Sequence, residues 1–155
     1  MAIPQVIPIA HEPDGRTATI GRYADGQFLA SVTYAYPVGY RPDDGWEQQR
    51  RLYAVLHTFD ADGVHRDTDI WCGGTWADQQ RDPAVLGQAE AHLTKLLETL
   101  PSRQYGDIAV RPFRRTVDDV LFGLLVESED EGDEWTELHP DRLGFGPPWN
   151  GEYDS

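Results

Sequence analysis

One apolar run, from Leu52 to Phe59, constrains the fold of this chain more than any other segment. Its residues are apolar or aromatic except for His57 and Thr58. A strand with one exposed face would alternate between apolar and polar residues, so this run predicts a β-strand that is covered on both faces. Successive side chains along it would point to two different buried surfaces.

A hairpin continues from this strand. Residues 60–63 read DADG, in which aspartate bonds to its own backbone and glycine accepts a positive φ, as a turn requires. Residues 64–72 then return as a second strand, which Gly73 and Gly74 end. Residues 17–23 pair in the same way with 27–36, and 107–114 with 120–126, so the chain is predicted to consist of sequential hairpins.

Residues 82–101 carry the one convincing helical pattern. Asp82 suits the N-cap and Pro83 the first helical position, and leucines recur at helical spacing from Leu86 to Leu100. Residues 76–81 are predicted to be irregular, and the alternation in residues 27–36 predicts a sheet with one face on the core. Together these patterns predict an α+β fold: a mostly antiparallel sheet built from sequential hairpins, with one long helix packed on one face.

The chain of 155 residues is predicted to form a single domain, residues 1–155. Prolines at positions 4, 8 and 13 forbid a helix and a central strand, so residues 1–14 are predicted to form an extended arm. Residues 127–134 hold six acids in eight positions and predict a solvated acidic loop. Residues 144–155 form a tail rich in proline, glycine and aromatic residues.

The net charge of −14 limits the classes of partner. A chain this acidic is repelled by nucleic acid and by anionic lipid, so we expect neither as a partner. No run of about 18 apolar residues predicts a membrane span, and the first residues do not resemble a signal peptide. A single cysteine fits a reducing compartment. These features predict a cytoplasmic protein that binds a protein partner. If the negative charge is there to complement the partner, the partner is basic.

Acidic and aromatic residues near the C-terminus are the candidate partner-binding surface. A mobile acidic loop beside aromatic side chains would steer a basic protein by charge and hold it through apolar contacts. Two plainer interpretations stay open: the loop keeps a strand end solvated, and the aromatic side chains complete the core. The candidate residues are Glu129, Asp130, Glu131, Asp133, Trp135, Trp149 and Tyr153.

No catalytic, metal-binding or cofactor-binding signature is present in the sequence. The five histidines and the one cysteine show no metal-ligand spacing, and the nucleotide-binding and nucleophile motifs are missing. We therefore predict no catalytic residue, no metal site and no cofactor. One alternative is a small enzyme with a site near Cys72 and His57, although the position of Cys72 inside a strand predicts a buried, inert thiol.

Five segments together resemble a known group of proteins. They read HEPDGRTATIGRYADGQF, RLYAVLHTFDADG, DIWCGGTWADQQ, YGDIAVRPF and LHPDRLGFGPPWNGEYDS. They resemble small acidic proteins of actinobacteria labelled formate hydrogenlyase regulatory protein (HycA-like), along nearly the whole chain. The resemblance implies a small bacterial cytoplasmic protein of regulatory type and brings no catalytic residue with it.

Three functions follow from these observations. The first is a non-enzymatic, regulatory, protein-binding module whose acidic surface engages a partner. The second is an immunity protein that neutralises a basic toxin, and the third is the small enzyme near Cys72 and His57. The sequence leaves the oligomeric state open.

Overall fold

The computed structural model describes residues 3–40, 45–129 and 132–154. Three helices and eleven strands are present within these ranges. The helices are α1 (Trp46–Gln49), α2 (Trp76–Arg81) and α3 (Val85–Glu98). The strands are β1 (Ile7–Ile9), β2 (Ile20–Tyr23), β3 (Gly26–Ala35), β4 (Arg51–Phe59), β5 (His65–Thr75), β6 (Gln104–Tyr105), β7 (Ile108–Val110), β8 (Phe113–Val117), β9 (Val120–Ser128), β10 (Glu134–His139) and β11 (Leu143–Phe145).

These strands form three antiparallel sheets. The largest has the order β5-β4-β3-β2-β6, the second has the order β11-β10-β9-β8, and β1 pairs with β7 in a short ribbon. Every described strand pair is antiparallel, which confirms the predicted mixed fold dominated by antiparallel sheet. The prediction of a single sheet with one long helix is wrong, because the described strands form three sheets and the described helices are 4, 6 and 14 residues long.

The five-stranded sheet is buried on both faces. Helix α3 covers one face, where Leu93 and Leu97 pack against Phe28 and Leu56. The second sheet covers the other face through two further apolar clusters. This arrangement confirms the prediction that the Leu52–Phe59 strand is covered on both sides. The burial of apolar area on two sides is the main stabilising contribution to such a layered fold.

Strand β3 shows why a one-faced sheet was the wrong prediction. Phe28 and Ala30 are buried against the helix, but the opposite face is also buried, with Leu29, Thr33 and Ala35 each at most 5% exposed. Thr33 satisfies its hydroxyl by donating a hydrogen bond to the carboxylate of Asp141. The polar residue Thr33 in this alternating pattern is therefore buried and hydrogen-bonded within the protein, and it is not exposed to solvent.

The two glycines at the end of β5 continue that strand instead of ending it. Strand β5 runs through both of them to Thr75. A register shift in the pairing with β4 lies at these glycines, between the Tyr53–Cys72 pair and the Arg51–Thr75 pair. A Cβ atom at Gly73 would lie 2.9 Å from Val85 Cγ1, and Gly74 has a φ of +92°. Gly73 is needed for close packing, and Gly74 is needed for its backbone conformation. Glycines inside a strand are typical of such an irregularity in the pairing.

Helix α2 occupies the segment that was predicted to be irregular. Thr75 caps it: its side chain accepts a hydrogen bond from Asp78 N, and the Asp78 carboxylate accepts one from Thr75 N. These reciprocal bonds satisfy amide groups that the first helical turn leaves free. The aspartate at the third position, in place of glutamate or glutamine, hid this signal in the sequence.

Helix α3 begins at Val85, three residues after the predicted cap. The Asp82 carboxylate accepts a hydrogen bond from Ala84 N, so Asp82 stabilises the turn before the helix. The buried stripe is Val85, Ala89, Leu93 and Leu97, while Leu86 is 42% exposed. The prediction that Leu86 belongs to the apolar stripe is therefore wrong, because the helix is rotated to bury Val85 instead.

The segment 107–114 was predicted to be one strand and forms parts of two. Residues 108–110 pair with β1, whereas β8 starts after Pro112 and pairs with β9 around the turn at Asp118 and Asp119. Proline donates no ladder hydrogen bond, which suits a change of partner at that point. The N-terminal arm, described from residue 3, thereby contributes an edge strand to the body.

The packing of α3 makes a direct prediction. Replacement of Leu93 by alanine should lower the free energy of unfolding by about 2–5 kcal/mol, because it removes a buried side chain from the helix–sheet contact. Gln88 lies on the exposed face of the same helix, so Gln88→Ala is the matched control and should change stability little. Chemical denaturation of both variants measures the difference; equal losses would contradict the assigned face.

Candidate functional site

The outward face of the second sheet carries the candidate functional site. Along β10, Thr136 and Leu138 are buried against the core, so Trp135, Glu137 and His139 point away from it. The register places Trp135 opposite Glu127 on β9. Alternation along one strand thus brings polar and aromatic side chains together on one outer surface.

An open groove of about 590 Å³ lies at the end of this surface. Glu129 and residues 132–134 form one side, and β11 with the residues that follow it forms the other. A Cβ atom at Gly144 would lie 3.9 Å from Cδ1 of the Trp135 indole, and one at Gly146 would lie 3.6 Å from Trp135 Cβ, so both glycines border the half-buried Trp135. The lining residues are Glu129, Gly132, Asp133, Glu134, Trp135, Glu137, Arg142, Gly144, Phe145, Gly146, Pro147 and Asp154.

This groove, called the acidic groove below, has a strongly negative lining. Five of its residues are carboxylates and one, Arg142, is a cation. Arg142 Nε lies 3.0 Å from Glu137 Oε2, so its charge is already paired within the groove. Four carboxylates are left without a cation among the described lining residues, which makes the groove suited to a positively charged ligand.

Three of the predicted partner-binding residues meet in the acidic groove. Glu129, Asp133 and Trp135 all line it. Asp130 and Glu131 lie outside the described residues. The predicted acidic loop is shorter than expected, because Glu127 and Ser128 belong to β9 and Glu134 to β10.

The tail aromatic residues are not part of the groove. Trp149 and Tyr153 are partly buried and pack against the main core cluster. The Tyr153 hydroxyl accepts a hydrogen bond from Arg16 N at 3.1 Å, and the tail pairs with β11 through Gly144 and Asp154. Trp149 and Tyr153 therefore pack on the core, as the plainer interpretation expected, and their contact with a partner stays a prediction.

A cluster of two carboxylates and one imidazole adjoins the groove and was missed by the sequence reasoning. His139 Nε2 lies 3.0 Å from Glu137 Oε2 and 3.6 Å from Glu127 Oε1. The pattern Glu-x-His places two of these side chains on one face of β10, which was the available signal. The third residue, Glu127, comes from the neighbouring strand, so its position depends on the hairpin register.

Cys72 and His57, the two residues of the alternative enzyme site, lie apart on the largest sheet. Cys72 lies opposite Tyr53 in the β4–β5 pairing, whereas His57 lies opposite Thr68. The two side chains share a face but lie several positions apart along the sheet. The prediction of a buried Cys72 is also wrong, because the residue is exposed and borders a small open cavity with Arg51 and Tyr53.

His57 has the structural role that its apolar surroundings suggested. It is 2% exposed, and its Nδ1 lies 2.8 Å from Thr68 Oγ1, which also contacts His65 Nε2 at 2.7 Å. Burial lowers the pKa of His57 to about 3, with smaller contributions from His65 and Arg115. The imidazole is therefore neutral in the folded protein near neutral pH.

No protein-family model matches the chain, and neither the curated proteins nor the solved structures include a significant match. The resemblance to HycA-like proteins therefore stays a prediction. Within the described parts of the chain, none of the helices has the length and apolarity needed to cross a bilayer.

The exposure of Cys72 predicts its reactivity. An aromatic disulfide reagent should modify one thiol per chain in the native protein at neutral pH, without denaturant, because the side chain is reachable from solvent. The measurement is the absorbance of the released thiolate, with Cys72→Ser as the control that releases none. Modification that requires denaturant would contradict the exposed position.

The lowered pKa of His57 predicts an acid-sensitive fold. Its pKa in the folded state lies below the value of about 6.5 in the unfolded chain, so the unfolded state binds the proton first. Stability from this group is present above about pH 6.5 and should fall by about 2 kcal/mol at pH 5. The measurement is urea unfolding as a function of pH.

Two variants isolate this contribution. His57→Phe should flatten the pH dependence between pH 7 and pH 5, since the titrating group is gone. His92→Gln retains His57 and should keep the slope of the wild-type protein. Equal slopes for wild type and His57→Phe would show that the buried imidazole does not control acid stability.

Proposed function

We propose that this protein is a non-enzymatic binding module of regulatory type, whose acidic groove takes a basic segment of a partner protein. One observation carries the proposal: Glu129, Asp133 and Glu134 surround the same open groove as Trp135 and Glu137. Clustered carboxylates beside an aromatic ring are the chemistry that recognises arginine and lysine side chains.

Electrostatics on two scales supports this proposal. The net charge of −14 attracts a basic partner from a distance and speeds the encounter. Within the groove, the carboxylates then favour a guanidinium or ammonium group, and the indole of Trp135 adds a cation–π contact worth about 0.5–2 kcal/mol. The same charge disfavours nucleic acid as a partner, and the single cysteine favours a reducing cytoplasm.

The immunity alternative uses the same groove with a basic toxin as the partner. It differs in its consequence, because binding would then abolish the activity of the toxin. The enzyme alternative has weaker support, since Cys72 pairs with Tyr53 and His57 with Thr68, which places the two residues apart along the sheet. A regulatory binding role therefore accounts best for the geometry.

A basic peptide tests the proposed function. A synthetic peptide of alternating arginine and glycine should bind the purified protein, and its affinity should fall as the salt concentration is raised. The double variant Glu129→Gln, Glu134→Gln should weaken binding about two- to thirtyfold, because each exposed carboxylate contributes about 0.2–1 kcal/mol. Fluorescence anisotropy of a labelled peptide measures both effects.

A matched double variant gives the control. Glu90 and Glu98 are exposed on α3, away from the groove, so Glu90→Gln, Glu98→Gln removes the same charge. This control should leave the peptide affinity nearly unchanged, whereas Trp135→Leu should weaken it. Equal losses from the two double variants would show that net charge, and not the groove, governs binding.

A further inference from the structure

The carboxylate–imidazole cluster contains an unusual nitrogen. Nε2 of His139 has almost no contact with solvent and no aligned hydrogen-bond partner. Carboxylate oxygens lie only 3.0 Å and 3.6 Å away, from Glu137 and Glu127, so the contacts are close but badly directed for an N–H donor. A neutral imidazole with its proton on Nδ1 would present the Nε2 lone pair to those oxygens, an arrangement that a cation between them would stabilise.

The spacing of the three donors matches a metal centre. The donor atoms of Glu127, Glu137 and His139 lie within 4.8 Å of one another. Ligands bound tetrahedrally to Zn²⁺ at about 2.0–2.1 Å are separated by about 3.4 Å. The two nitrogen–oxygen distances, 3.0 Å and 3.6 Å, fall on either side of that value. Small side-chain adjustments would therefore bring all three atoms to bonding distance of one ion.

The scaffold around the cluster supports this geometry. Glu137 and His139 lie on β10, which is hydrogen-bonded to β9 on one side and to β11 on the other. His139 lies opposite Gly123, which has no side chain to fill the space beside the imidazole. Arg142 Nε contacts Glu137 Oε2 at 3.0 Å and orients that carboxylate, as outer partners of metal ligands do.

We infer that Glu127, Glu137 and His139 form a binding site for one divalent transition-metal ion, with Zn²⁺ the best fit. One imidazole and two carboxylates suit a borderline ion, whereas Ca²⁺ and Mg²⁺ prefer sets made only of oxygen. Three protein ligands leave a fourth coordination position free. This site goes beyond the proposed function, because peptide binding in the acidic groove does not require it.

Isothermal titration of the metal-free protein with Zn²⁺ tests this inference. The wild-type protein should bind one ion per chain, and its melting temperature should rise with added Zn²⁺. Glu127→Gln should weaken Zn²⁺ binding at least about tenfold, since loss of even an outer partner of a ligand costs roughly 10–100-fold. Glu127 is the most exposed of the three residues, at 37%, so this variant should fold normally.

Two controls separate a built site from general acidity. Glu129→Gln removes an acid from the same hairpin outside the donor set, and His92→Gln removes a histidine elsewhere; both should bind Zn²⁺ like the wild-type protein. Co²⁺ should give intense visible absorption in the wild-type protein and lose it in Glu127→Gln and His139→Phe. Absence of binding, or equal affinity in Glu127→Gln and Glu129→Gln, would overturn the inference.

Discussion

Two-sided burial of the five-stranded sheet is the constraint on which the rest of this structure depends. Strands β3 and β4 lie inside that sheet and contact α3 on one face and the second sheet on the other. Each layer buries one face of its own against them, and no layer could bury that face alone. Within the described residues, the second sheet packs its inner side on this core, and its outer side carries Trp135, Glu137 and His139.

The sequence predicted this core well where the apolar pattern was continuous. The run Leu52–Phe59 has no polar alternation, so its burial on both faces and the assignment of its two sets of side chains are confirmed. Strand β3 was harder to interpret, because Thr33 resembles a solvent-facing residue until Asp141, 108 positions later, accepts its hydrogen bond. Periodicity reports polarity, and only the tertiary structure shows whether a polar group is satisfied by protein or by water.

The candidate site was predictable only in part, because a sequence pattern shows which residues are close along the chain and does not show tertiary contacts. Glu129, Asp133 and Trp135 lie close together in sequence at one hairpin, so local reasoning places them on one surface. Trp149 and Tyr153 follow in the tail, and their docking on the core depends on contacts with the N-terminal arm that no local pattern shows. The cluster of Glu127, Glu137 and His139 depends on the register of two strands across a ten-residue separation. Its recognition required the structure.

The proposed function depends on whether a basic partner binds in the acidic groove, and a chemical-shift titration measures this most directly. An arginine-rich peptide is added to the ¹⁵N-labelled protein, and amide and indole shifts are followed residue by residue. The account predicts that the shift changes concentrate in β10, β11 and the turn before β10, and include the indole N–H of Trp135. Shift changes concentrated on α3, or no shift changes even at a large excess of peptide, would contradict the proposed binding site.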